Sequence, residues 1–157
     1  MMEENQIKIL LKMHELEQSL AEMYALFMEK FPAHTALWTV LVKEELEHAE
    51  GVQKLYRLTY KKDASFSEGP IRFSAVESIV DYVKNTCEIA RRDGMSAEHA
   101  LELSRDIEKS LIAKNIFDHF KVRLEYTTML KKLREDSEHH AQLVQEEIDR
   151  HNKRRSV

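Results

Sequence analysis

NQIKILLKMHELEQSLAEMYALFMEK, residues 5–30, is the stretch from which the fold class follows. Ile7, Leu10, Leu11, Met13, Leu16, Leu20, Met23, Phe27 and, just beyond, Phe31 recur at spacings of three and four, the period of one face of an α-helix. Pro32 ends the run, because proline disfavours helix in the residue before it and donates no backbone hydrogen bond. Outward from this segment the pattern repeats. Thr35 is placed as N-cap of a second helix reaching about Tyr60, with Leu37, Leu41, Val52 and Leu55 inward. A break from Lys61 to Arg72 holds Ser65, Ser67, Gly69 and Pro70. Ser74-Ala75-Val76-Glu77 has the form of a capping box and opens a shorter helix, in which Val76, Ile79, Val80, Val83, Cys87 and Ala90 make one stripe. Gly94 closes it. Ser96 caps a fourth helix expected to run to about Phe120, with Ala100, Leu103, Ile107 and Leu111 inward. A fifth runs from about Thr127 past Ile148, with Leu130, Leu133, Val144 and Ile148 inward. No strand signal competes, and four helices are expected to exceed twenty residues.

These elements predict an all-α chain with a single domain over residues 1–157. Two antiparallel helix pairs, 5–60 and 96–152, form a four-helix bundle, and the crossover between them carries its own helix, 74–93. Three Gly and two Pro in 157 residues suit long helices. The 28 acidic and 24 basic residues are interspersed, so no basic stripe points to nucleic acid. Cys87 is the only cysteine, which excludes a disulfide framework or a cysteine-ligated metal site built within the chain. No apolar stretch approaches the roughly 20 residues that span a bilayer. Met1-Met2-Glu3-Glu4 lacks the basic and apolar regions of a signal peptide, so the expected location is the cytoplasm.

The chain reads as a duplication. Leu16-Glu17-Gln18-Ser19-Leu20 matches Ile107-Glu108-Lys109-Ser110-Leu111 at an offset of 91, and in the next helices the offset is 92. Thr35 then meets Thr127, Trp38 meets Leu130, Leu41 meets Leu133, His48-Ala49 meets His140-Ala141, and Val52 meets Val144.

Glu45-Leu46-Glu47-His48 is a Glu-x-x-His step. At about 100° per residue His48 falls within roughly 30° of the centre of the apolar face set by Leu37, Leu41, Val52 and Leu55, and Glu45 lies inward beside it at roughly 55°. An inward carboxylate beside an inward imidazole calls for a partner, and a metal is one. Glu17 lies within about 40° of its helix's inner face and Glu108 about 60° from its own. Taken singly, each carboxylate is better explained as bonding a buried Tyr, Lys or Arg. Taken together, two single Glu and a Glu-x-x-His match the ligand pattern of di-metal carboxylate bundles.

On these residues, strongest over Leu16-Glu17 to Tyr24 and Leu41 to His48-Ala49, the sequence resembles the rubrerythrin branch of the ferritin-like superfamily. The resemblance implies a ferritin-like four-helix bundle, a dinuclear iron or manganese centre, peroxidase or ferroxidase activity and a homodimer. It implies Glu17, Glu45, His48 and Glu108 as ligands, with Glu45 and its counterpart in the last helix bridging. No rubredoxin-type domain accompanies the bundle, so peroxide turnover would draw electrons from a separate donor. Tyr24, two turns beyond Glu17, is either a core residue or a hydrogen-bond donor or radical relay beside the centre.

The departure from the pattern is Ser137, which stands at the offset of 92 from Glu45. Counting 28 residues from Glu108, as from Glu17 to Glu45, gives Asp136 and His139 instead. Helical phase favours His140 inward, near the centre of its apolar face, and sets His139 roughly 125° away on the surface. Asp136 then flanks the site as a substitute carboxylate. Three outcomes stay open: a dinuclear site repaired by Asp136, a single metal, or none. The corresponding functions are an oxidoreductase, a metal-binding protein without turnover, and a scaffold whose site has decayed.

Overall fold

The computed structural model describes residues 4–66, 72–92, 94–114 and 116–156. It is mostly helical, with five helices and one small sheet: α1 (Glu4–Lys30), α2 (Thr35–Tyr60), α3 (Phe73–Arg92), α4 (Ala97–Lys114) and α5 (Thr127–Arg155), with strands β1 (Ala64–Phe66) and β2 (Phe120–Val122). No helix among the described residues is long and apolar enough to cross a membrane.

Cross-contacts fix the helix directions. Tyr24 stacks on Trp38 and Glu17 faces His48, so α1 and α2 are antiparallel. His34 meets Glu147 and His48 meets Asp136, so α5 runs antiparallel to α2. Glu98 pairs with Arg155 and Glu108 faces His140, which sets α4 against α5. The crossover helix α3 returns parallel to α1, with Lys12 over the Phe73 ring and Glu15 paired to Lys84. Packed against both α2 and α3, α1 needs a wide apolar stripe, and Ile9, Leu10, Met13, Leu16, Leu20, Met23, Tyr24 and Phe27 are all buried. Gly51 of α2 lies against Leu133 of α5. A Cβ there would stand 2.9 Å from Leu133 Cδ2.

The expected inward residues of α2, α3 and α5 are all buried. In α1, Leu11 is 57 % exposed, and in α4 Leu103 is only half-buried while Leu101 is buried. Ser96 Oγ accepts from the His99 N–H, as an N-cap should. Gly94 follows α3 in the left-handed region at φ +66°, which favours glycine at such a helix end. Thr35 is not a cap: it is the first residue of α2, and its hydroxyl donates to the Pro32 carbonyl. Thr127 does the same to Leu124 at the start of α5, and each follows a short 3-10 turn. These matching entries, 92 positions apart, agree with the duplication.

Three further expectations are corrected. α3 begins at Phe73, so Ser74 is inside the helix and the proposed capping box is not its start. The fourth helix stops at Lys114 rather than near Phe120, and at 18 residues falls short of the expected length. Strands exist: Ala64–Phe66 pairs antiparallel with Phe120–Val122, and the Phe66 and Phe120 rings meet at 4.7 Å. The aromatic and β-branched side chains of Phe120 and Val122 gain more from cross-strand pairing with Phe66 and Ala64 than from prolonging α4. Ser67, Gly69 and Pro70 of the expected break, Asp93 at the expected end of the crossover helix, and Met1 to Glu3 lie outside the described residues.

Candidate metal centre

Glu17, Glu45, His48, Glu108 and His140, drawn from α1, α2, α4 and α5, are buried together between those helices. His48 and His140 stack at 5.2 Å between ring centroids. Each turns Nδ1 toward Glu45: His140 Nδ1 lies 3.0 Å from Oε1 and His48 Nδ1 3.3 Å from Oε2. Glu17 Oε2 flanks His48 Nδ1 at 3.7 Å, and Glu108 Oε1 flanks His140 Nδ1 at 3.7 Å. His139 is exposed, as helical phase requires.

The outer nitrogens are held by carboxylates. Asp136 Oδ2 is 2.7 Å from His48 Nε2, and Glu44 Oε2 is 2.6 Å from His140 Nε2. Carboxylates accept, so each Nε2 donates outward, and each Nδ1 is turned inward, where loss of its proton would free a lone pair for a metal. Glu44 and Asp136 are themselves 92 positions apart, and each reaches across to the imidazole of the other helix. Asp136 is therefore half-buried on the outer side of His48, not beside Glu45. Glu44 was not among the residues singled out from sequence: it lies about 45° from the centre of the α2 apolar face, on the opposite flank from Glu45, and has no imidazole three positions on. The repeat register, which maps it onto Asp136, is the signal that finds it.

Several inward atoms have no hydrogen-bond partner: Glu17 Oε2, Glu45 Oε2, Glu108 Oε2 and His140 Nδ1. His140 Nδ1 is close to Glu45 without the alignment of a hydrogen bond. Buried polar atoms left unpaired cost about 1–3 kcal/mol each, more if charged, and a shared metal ion is one partner that would offset that cost. Ligands about 2.1 Å from one metal lie about 3.0 Å apart at right angles and about 3.4 Å apart at the tetrahedral angle. The separations of 3.0 and 3.3 Å between Glu45 and the two imidazoles match that range. Glu45, His48 and His140 form a buried group able to hold a metal ion. No family model, curated protein or solved structure matches the chain.

The electrostatics show what these groups do to one another. Burial, then repulsion from Glu45, raises the Glu17 carboxyl to about 8. Burial and Glu108 oppose ionisation of Glu45, yet its contacts with Glu17, His140 and His48 bring it below the usual carboxylate range. Burial alone would lower His140, but Glu108 and Glu45 push it up to about 11. His48 is also raised, against burial, by Asp136, Glu17 and Glu45. Tyr24, fully buried, donates to Glu108 Oε1 at 2.6 Å, and burial plus the charge of Glu108 raise its phenol well above the ordinary value. Tyr24 is thus both a core residue and a donor at the centre.

Sequence reasoning also passed over His34 and Glu147, a buried pair at 2.7 Å. Burial works against the Glu147 charge, but His34 and Arg150 hold its carboxyl below the ordinary value. The pair ties the start of α2 to the last turns of α5, away from the centre.

Proposed function

We propose that this chain is a ferritin-like four-helix bundle of rubrerythrin type, binding iron or manganese and acting in Fe(II) oxidation or peroxide reduction. The observation that carries the reading is the convergence of two inward Nδ1 atoms on Glu45, among buried carboxylate oxygens without hydrogen-bond partners. Glu45, His48 and His140 hold the metal, with Glu17 and Glu108 at either side. Iron or manganese held there would supply one-electron redox chemistry.

The protein's own part is orientation, exclusion of water and proton supply. Asp136 and Glu44 fix the imidazole tautomers from outside, as outer carboxylates do at metal-bound histidines. Trp38, Leu41, Val52 and Val144, all fully buried, belong to the core around these helices and keep bulk water out. Tyr24 donates its hydroxyl to Glu108, one hydrogen bond from the site. With Cys87 the lone cysteine, electrons for peroxide reduction come from a separate donor.

A second reading has its own support. The imidazoles already sit among carboxylates at 2.6–3.7 Å, and Ser137 replaces the carboxylate that the repeat predicts. Ion pairs alone would then hold the interior of a metal-free scaffold. Calorimetric titration of Mn(II) into wild type, E44Q and D136N separates the two. The metal reading predicts binding in wild type and an affinity about 10–100-fold weaker in each variant. Absence of Mn(II) uptake in all three, with only thermal stability altered, would favour the scaffold.

A further inference from the structure

Glu17, Glu45, His48, Glu108 and His140 are all buried, so an ion needs a way in to them. Glu17 belongs to two places at once. Its Oε2 lies 3.7 Å from His48 Nδ1 without a hydrogen-bond partner, and the residue also lines a cavity of about 410 Å³ between α1, α4 and α5. Ser137, which stands where the repeat places a second glutamate, lines the same cavity, and its short side chain leaves room that a glutamate would fill. At roughly 30 Å³ per water, a divalent cation carrying six waters takes up about 200 Å³ and fits within it.

Charge decides what such a cavity draws in. Asp118, Glu135 and Glu138 line it against Lys131 and Arg134. Lys131 is 3.9 Å from Glu135 and Arg134 is 3.8 Å from Asp118, so those four offset one another. Glu138 is exposed, has no ion-pair partner among the described residues, and leaves the lining net negative. That balance holds even with the Glu17 carboxyl, raised to about 8, counted as neutral. Met13, Leu16, Leu111 and Phe117 supply apolar wall. Such low-dielectric walls focus the field of the charges between them and raise counter-ion on-rates by about 10–10³-fold.

Resting on the metal-binding reading, we propose that this cavity is the passage by which a divalent cation reaches the centre. Glu138 draws the hydrated ion to the mouth, and Glu17 receives it at the inner end, beside His48. A residue met only in transit changes the barrier for entry and exit alike, and leaves the affinity unchanged.

The test is stopped-flow uptake of Mn(II), read by a fluorescent indicator of the free ion, and its release to excess chelator. Calorimetry gives the affinity, and the proteins are wild type, S137F, E138K and E50K. S137F narrows the cavity and E138K reverses its unpaired charge. Each should slow uptake and release about tenfold, with affinity kept within about twofold. The E138K deficit should shrink in about 1 M salt, where the Debye length is about 3 Å, while the S137F deficit persists. E50K makes the same charge change at an exposed position of α2 that does not line the cavity, and should keep wild-type rates. E138K, also at an exposed position, keeps the test decisive if S137F does not fold. Wild-type rates in both S137F and E138K would overturn the passage and leave the metal reading standing. Weaker binding through faster release alone would overturn it too, since these residues would then support the bound ion. Equal slowing in E50K would overturn the role given to Glu138. Failure of wild type to take up Mn(II) would overturn both the passage and the metal reading.

Discussion

Replacing His48 with alanine is expected to abolish the thermal stabilisation that Mn(II) or Fe(II), added anaerobically, gives the wild-type protein. A ligand that binds only the folded state stabilises it by about 4 kcal/mol at a free concentration about 1,000 times Kd. For a domain of this size each kcal/mol raises Tm by roughly 2–4 °C, so the wild-type shift should be on the order of 8–16 °C. His48 is the residue to remove because its Nδ1 lies 3.3 Å from Glu45 and 3.7 Å from Glu17, with Asp136 fixing the other nitrogen. The metal-free H48A protein also changes stability, since Asp136 loses its partner and the buried carboxylates lose a positive neighbour. The informative quantity is accordingly the metal-induced shift within each protein, read by calorimetric melting. A shift in H48A equal to that of wild type would put the bound metal somewhere else.

The second large effect is on the fold. Trp38→Ala should destabilise the metal-free protein by about 3–5 kcal/mol, the usual range for deleting a buried Trp or Phe side chain. At roughly 2–4 °C per kcal/mol, Tm should fall by on the order of 6–20 °C. Trp38 is fully buried where α1 and α2 meet, stacked on Tyr24 at 6.0 Å and edge-on to Phe27 at 5.3 Å. Its collapse would loosen Tyr24 and the Glu108 carboxylate that Tyr24 holds. Trp38→Phe should cost much less: most of the apolar contact survives, and the indole N–H, which has no hydrogen-bond partner, is removed. Denaturant melts of both variants check this. Equal losses for W38A and W38F would mean that the N–H, rather than the packing, matters at this position.

Helical phase, more than chemistry-matching, made the centre legible in the sequence. The Asp136-His139 register preserves a carboxylate-x-x-His step, but turning α5 to suit it would expose Leu133 and Val144. Both are buried, with His140 inward and His139 in solvent. Periodicity of this kind needs several turns of helix to accumulate, which α1, α2, α3 and α5 provide. It fails where an element is three residues long. The pairing of Ala64–Phe66 with Phe120–Val122 joins segments more than fifty positions apart, and no local pattern in either one announces it. The early end of α4 was missed for a related reason: Phe117 and Phe120 are three positions apart, a helical spacing, while Phe117 lies in a 3-10 turn and Phe120 opens β2.

Glu44 and Glu147 were harder. Each lies off the centre of its helix's apolar face and becomes buried or half-buried only because an imidazole from another helix meets it. Such pairs are a property of two helices at once, and a reading of one helix at a time discounts them. The duplication is the exception, because it relates the two helices in advance. With Glu44 set against Asp136, both outer-nitrogen partners follow from one rule.

The most direct test of the central claim is the metal content of the protein expressed with iron supplied, measured together with its near-ultraviolet and visible spectrum. One to two irons per chain with a ferric carboxylate absorption, lost in H48A, is the expected result. Metal below about 0.2 per chain, unchanged after anaerobic Fe(II) or Mn(II) reconstitution, would contradict it and leave an ion-paired scaffold in its place.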